Sequence, residues 1–319
     1  MNRNGNGVLK LYHFPMSFYS QRAVLTLHEK GLAFEEELVN IQANEQHRPE
    51  YLHINPKGTV PALQDGVKVI PDSTLIMEYL EDNFSDGKFP RLLPLDKSSE
   101  EYRKVTNFTE EFLKLDIPVF TYGTFHNEEL RQKVRLPRMM LRSIVNKTRP
   151  AEGKNPLVLA RVLHAMEEVP EAREVLQNKV DSMKKLADGM LDPEKHRQAM
   201  RGVDAFLQRA EDELVTHTGE RASWWLCGAS FSLADVDLCV LLNRIWMLGL
   251  EERLFTRTRP HLATYFRRAR QRTAFQKTTA MPFKIRALLL AERVGSYLPL
   301  VLGLGAILAA AYGIYAARR

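Results

Sequence analysis

The turn Ser17-Phe-Tyr-Ser20 is the place in this 319-residue chain where residue type and position together suggest chemistry. It follows an apolar run from Val8 to Phe14 and precedes a helical pattern in which Val24, Leu25 and Leu27 lead to Gly31. A serine hydroxyl at a helix start can donate a hydrogen bond to a thiolate, and the helix N-terminus adds positive potential. Ser17 is placed where it could do so. The competing use of such a serine is as an N-cap worth about 1 kcal/mol, and Ser20 is the expected cap. No cysteine lies in the 17–20 turn, which excludes thiol-transfer redox chemistry there. No P-loop, HExxH, zinc-spaced cysteine cluster or nucleophile elbow is present, and the nine histidines are scattered, so no metal site is expected.

The elements that would position this turn follow from patterning. Val8 to Phe14 and Phe34 to Ile41 read as strands. Val60 to Gln64 and Val67 to Ile70 flank Asp65-Gly66, a two-residue hairpin signal. Asp72 then opens a helix through Ile76, Tyr79 and Leu80. Strand, helix, strand, hairpin, helix is the order of a thioredoxin fold. From Ser98 onward only helical patterns occur, with breaks near Pro118, Pro150, Gly153 and Pro156. An amphipathic run spans Glu171 to Leu191, and Pro193 starts a helix whose Ala199, Val203, Phe206, Ala210 and Leu214 share a face. Ser232-Leu-Ala-Asp235 is a capping-box start for an apolar helix from Val236 to Leu248.

Apolar content of 45% and charged content of 26% fit a globular body large enough for two domains. The net charge of +6 is uneven: seven basic residues and no acid lie between Arg131 and Arg149, and Arg267, Arg268, Arg270 and Arg272 form a second cluster. No aromatic-interleaved motif accompanies them, so no nucleic-acid partner is expected. They read either as solvated helix faces or as contacts with an anionic membrane leaflet. Tyr297 to Ala317 carries no charge and is followed by Arg318-Arg319. A helix crosses the ~30 Å hydrocarbon core in about 20 residues, so this segment is expected to be a C-terminal tail anchor that leaves the preceding chain in the cytosol. A buried core helix is the competing reading, but no polar stripe supports it. Gly305, Ala309, Gly313 and Ala317 place small side chains on one face of that helix, a packing stripe that an alanine-rich span also yields by chance. The first residues lack the apolar region of a signal peptide, and Cys227 and Cys239 form no spaced framework, which suits a reducing compartment.

A thioredoxin-like domain followed by helices resembles the glutathione S-transferase superfamily. The likeness is carried by Ser17-Phe-Tyr-Ser20-Gln-Arg, by Asn55-Pro-Lys-Gly-Thr-Val-Pro61, by Asp72-Ser73 and by Trp225-Leu-Cys-Gly-Ala-Ser-Phe-Ser-Leu-Ala-Asp235. It implies a catalytic Ser17 at the helix start, a cis Pro61, a Val60 backbone that pairs with the cysteinyl part of glutathione, and Asp72 and Ser73 receiving the ammonium and carboxylate of its γ-glutamyl end. Glutathione is thus compatible as a ligand, with no required cofactor. About 80 residues between Ile117 and Met200 exceed an ordinary transferase. With His13, Ser17-Phe18, Ser20-Gln21, the Trp225 motif and the tail, this resembles the ganglioside-induced differentiation-associated protein family.

The resemblance implies the following organisation: a thioredoxin-like domain at 8–84, a linker at 85–100, an all-α transferase-like domain at 101–280 with an insertion at about 118–200, a basic amphipathic connector at 281–296, and a transmembrane anchor at 297–317. It also implies a protein of the outer mitochondrial membrane that regulates mitochondrial fission, network dynamics and organelle contacts. Such a protein would be a homodimer and would bind cytosolic or organelle-contact partners, or a ligand, with little or no catalysis. The alternative is a membrane-bound glutathione S-transferase that conjugates electrophiles.

Overall fold

A computed structural model describes residues 8–148, 162, 164, 166–170, 173–280 and 283. The apolar tail and its Gly305, Ala309, Gly313 and Ala317 stripe lie outside these residues. Among the described residues, no helix is long and apolar enough to cross a membrane.

The first part runs β1 (Leu9–His13), α1 (Phe18–Glu29), β2 (Phe34–Leu38), a short α2 (Pro49–Leu52), β3 (Ala62–Asp65), β4 (Lys68–Pro71) and α3 (Ser73–Asn83). The sheet order is β2-β1-β3-β4, with β1 and β2 parallel and the other pairs antiparallel. Parallel strands need a crossover, and α1 supplies it. Leu9 and Leu11 of β1 pack with Val24 and Leu27 of α1 and with Ile76 and Leu80 of α3, which places a helix pair against the sheet. Asp65 pairs with Lys68, so the hairpin turn is Gly66-Val67, one residue later than Asp65-Gly66. Gly66 supplies the positive φ of 59° that the first central position of a type II′ turn requires.

Two helix starts differ from expectation. Ser17, not Ser20, caps α1, because the helix begins at Phe18 and the Ser17 hydroxyl accepts the Ser20 N–H at 3.3 Å. Ser20 lies inside the helix, fully buried, and its Oγ accepts the Phe14 N–H. Pro118 is no break either: it sits in the first turn of α5 (Ile117–His126), where its missing N–H would have no helical partner, and Asp116 caps that turn.

The helical part comprises α4 (Glu100–Leu113), α5, α6 (Glu128–Arg131), α7 (Arg138–Thr148), α8 (Arg173–Leu191), α9 (Pro193–Val215), α10 (Leu233–Met247), α11 (Pro260–Ala269) and α12 (Thr273–Thr279), with α5 packed against α6 to α9. The capping box forms: Asp235 accepts the Ser232 N–H and hydroxyl while Ser232 caps α10. Phe18 and Leu25 of α1 and Met77 of α3 join Phe108, Phe112, Phe120 and Val236 in one apolar cluster, so the thioredoxin-like and helical parts share a core. Two buried ion pairs fix this packing. Arg22 meets Asp237 at 2.7 Å, and Lys30 meets Glu81 at 2.6 Å. Glu81 also accepts the Leu92 and Leu93 N–H groups, which straps the connection between the two parts onto α3.

The second basic cluster is mostly committed to packing. Arg268 stacks on Trp225 with 3.9 Å to the ring centroid, Arg270 lies over Trp246, and Arg272 pairs with Glu29 and lies over Phe231. Arg135, from the first cluster, pairs with Glu251 and covers the Trp246 ring. These guanidiniums prefer the negative ring faces to a solvated row. Of the four cations at 267–272, Arg267 is exposed without such a contact.

Candidate functional site

The residues singled out by sequence meet where β1 ends and where β3, α1 and α3 begin. Ser17 is half-buried, and its N–H donates to the Phe14 carbonyl at 2.8 Å, which closes the turn after β1. Its Oγ accepts from Ser20, so the hydroxyl hydrogen is left for a ligand. The Val60–Pro61 peptide is cis. The preceding loop is held by the Tyr51 hydroxyl and the Asn55 amide, which donate to the Thr59 carbonyl at 2.6 and 2.8 Å. The Val60 N–H and C=O take no hydrogen bond among the described residues. The Pro61 carbonyl accepts the Asp72 N–H at 3.3 Å, which brings the third candidate alongside.

Asp72 adopts φ 78° and ψ 135°, a conformation that a non-glycine residue holds at a cost of about 1–3 kcal/mol. Its carboxylate caps α3 through the Thr74 N–H at 2.7 Å and stays exposed. Ser73 is buried, and its Oγ accepts Arg22 Nη1 at 2.8 Å. The same guanidinium nitrogen reaches Thr74 Oγ1 at 3.0 Å. A ligand carboxylate at Ser73 would therefore meet a hydroxyl polarised by a cation, at a helix N-terminus. An ammonium beside Asp72 would meet the carboxylate. Ser17, Val60, Pro61, Asp72 and Ser73 thus line one end of the sheet.

Sequence reading missed the buried charges Arg22, Asp237 and Arg244. The signal was a charged residue inside an apolar helical run: Arg22 within α1, and Asp237 and Arg244 within α10. The two cysteines are buried, and burial pushes both thiols up, which makes them poor nucleophiles. No cluster of potential metal ligands occurs among the described residues.

His13 closes β1 beside this site, and neither ring nitrogen has a hydrogen bond. Burial holds its pKa below the ordinary 6.5, partly opposed by Glu36 at 3.8 Å, while His28 reinforces the shift. The unfolded chain then takes up the proton first as pH falls. His13 stability is complete above 6.5 and is lost as pH drops through and below that value, with a slope of at most about 1.4 kcal/mol per pH unit. Melting at about pH 7.5 and about pH 5.5 should show a smaller acid loss for His13→Asn than for wild type. Equal losses would contradict this.

Residues 11–88 match the family described as Glutathione S-transferase, N-terminal domain. The human Ganglioside-induced differentiation-associated protein 1-like 1 is 29% identical over 277 residues, covering 84% of this chain and 73% of that protein. Over most of its length the chain is similar to the ganglioside-induced differentiation-associated protein family. The chain is also 27% identical to the Arabidopsis thaliana Glutathione S-transferase TCHQD, over 86% of the chain and 91% of that protein. Its fold matches the solved Beta-etherase LigF from Sphingobium sp. strain SYK-6, with a TM-score of 0.58 and 24% identity over 85% of this chain and 98% of LigF. The fold of LigF is thus matched almost in full, and the excess length belongs to this chain.

Proposed function

We propose that this protein is tail-anchored by residues 297–317 in the outer mitochondrial membrane, with its transferase-like body in the cytosol. There it regulates mitochondrial fission, network dynamics and organelle contacts by binding partners or a glutathione-like ligand, with little or no turnover. The charge-free tail and the likeness to the ganglioside-induced differentiation-associated proteins support the address. One observation carries the binding role. Leu52 of α2, in the segment leading to the Val60–Pro61 loop, is sealed by Val162, Met166, Val169, Leu176 and Val180 of the inserted segment. An insertion clamped onto this segment favours a held ligand over rapid exchange. Pairing into a homodimer would use the transferase body, the small-residue stripe of the tail, or both.

The alternative, conjugation of glutathione to electrophiles, is favoured by the unused Ser17 hydroxyl hydrogen. Imaging the full chain with an N-terminal fluorescent protein, with and without 297–319, tests the address, and an endoplasmic reticulum pattern would contradict it. Mitochondrial length on overexpression tests the role; correctly placed protein without effect would contradict it. Robust turnover of 1-chloro-2,4-dinitrobenzene, abolished by Ser17→Ala, would establish the alternative instead.

A further inference from the structure

Among the described residues, buried cations come with a counter-charge, and Arg244 is the exception. Arg22 has Asp237, Lys30 has Glu81, and Arg259 has Asp204 at 2.9 Å. Arg244, on α10, is 7% exposed and has no ion pair among the described residues. Its Nη2 donates to the Met16 carbonyl at 2.9 Å, and the guanidinium lies 5.5 Å from the Phe18 ring centroid. Its Nε and Nη1 take no hydrogen bond among the described residues, yet neither belongs to the sealed unpaired atoms of the interior. They therefore open toward accessible space.

A structural role explains only part of this. Holding the Met16 carbonyl, and with it the turn before Ser17, needs one N–H. A guanidinium presents five in a planar fork that matches a carboxylate. Burial lowers its pKa to about 10, which still leaves it charged at neutral pH. The groups that act electrostatically on it are the phenols of Tyr122 and Tyr19, and neither hydroxyl has a hydrogen bond among the described residues. Asp116 and Asp72 face Tyr19, not Arg244, and each carboxylate already caps a helix, at the Val119 and Thr74 N–H groups. The result is a cluster of donors without a counter-charge, placed at the turn that carries Ser17.

We infer that Arg244, flanked by Tyr19 and Tyr122, is an anion subsite beside Ser17 that selects a second ligand bearing a carboxylate on an apolar body. It rests on the transferase-like reading only in calling that ligand the second one; the anion subsite itself rests on Arg244. Ring surface from the two tyrosines suits an aromatic acid in particular.

The full chain in detergent micelles should be titrated with 3-nitrobenzoate and with its methyl ester, and separately with glutathione. Wild type should bind the acid at least about tenfold more tightly than the ester, as expected for a charge-assisted pair. Arg244→Leu should erase that preference, Arg244→Lys should retain part of it, and Tyr122→Phe should reduce it. Equal wild-type affinity for acid and ester would overturn the inference, as would a preference surviving in a folded Arg244→Leu. If Arg244→Leu does not melt cooperatively, the wild-type comparison and Tyr122→Phe decide. Glutathione binding without an acid preference sinks this inference alone; an acid preference without glutathione binding supports it and sinks the glutathione reading alone.

Discussion

Asp235→Ala should destabilise the protein by about 3–5 kcal/mol in chemical or thermal unfolding. Asp235 is fully buried, and its two oxygens accept four hydrogen bonds. Leu226 N–H and the Tyr265 hydroxyl reach Oδ1 at 2.8 and 2.7 Å; Ser232 N–H and hydroxyl reach Oδ2 at 2.8 and 2.7 Å. Truncation would leave these donors orphaned, each at about 1–3 kcal/mol, partly relieved by relaxation. The same carboxylate ties the Trp225-Leu226 segment to the start of α10 and to α11, so the loss would spread through the helical part. Tyr265→Phe removes one of the four bonds and should cost only about 1 kcal/mol. A loss below about 1 kcal/mol for Asp235→Ala would contradict this reading.

The second large effect concerns the joint between the two parts of the fold. Arg22→Leu or Asp237→Leu alone should cost about 3–5 kcal/mol, because each leaves the partner's charge buried and uncompensated. The double variant should recover most of that loss. Arg22 Nη2 and Asp237 Oδ2 already lack partners, so the pair is imperfectly satisfied and an apolar replacement forfeits little. A double-mutant cycle on unfolding free energy measures the coupling, and additive losses would contradict it. Arg22→Leu should also weaken ligand binding at Ser73, whose hydroxyl it holds.

What could be read from sequence was local. The β1-α1-β2 order, the hairpin and the capping box at Ser232 and Asp235 depend on residues a few positions apart, where period and capping act directly. The cap of α1 lies three residues before the expected one because Ser17 and Ser20 carry the same hydroxyl, and the turn closed between Ser17 and Phe14 is what sets where the helix begins. Pro118 read as a break since proline suits both a break and a first helical turn. Arg22 and Asp237 lie 215 residues apart, and no local pattern announces such a pair. The run at 267–272 looked like a basic face because its aromatic partners, Trp225, Phe231 and Trp246, come from earlier in the chain. Arg244 stayed hidden for the converse reason: an arginine in an apolar helix shows its missing counter-charge only once its neighbours are placed.

The central claim is that Ser17, Val60, Asp72 and Ser73 form a working tripeptide site. Calorimetric titration of the full chain with glutathione tests it most directly, beside Asp72→Asn, which keeps the cap and tolerates the positive φ but removes the charge. The expected result is saturable binding at one site per chain, weakened about tenfold or more by Asp72→Asn, as for loss of a charge-assisted hydrogen bond. No binding by wild type, or binding that Asp72→Asn leaves unchanged, would contradict it.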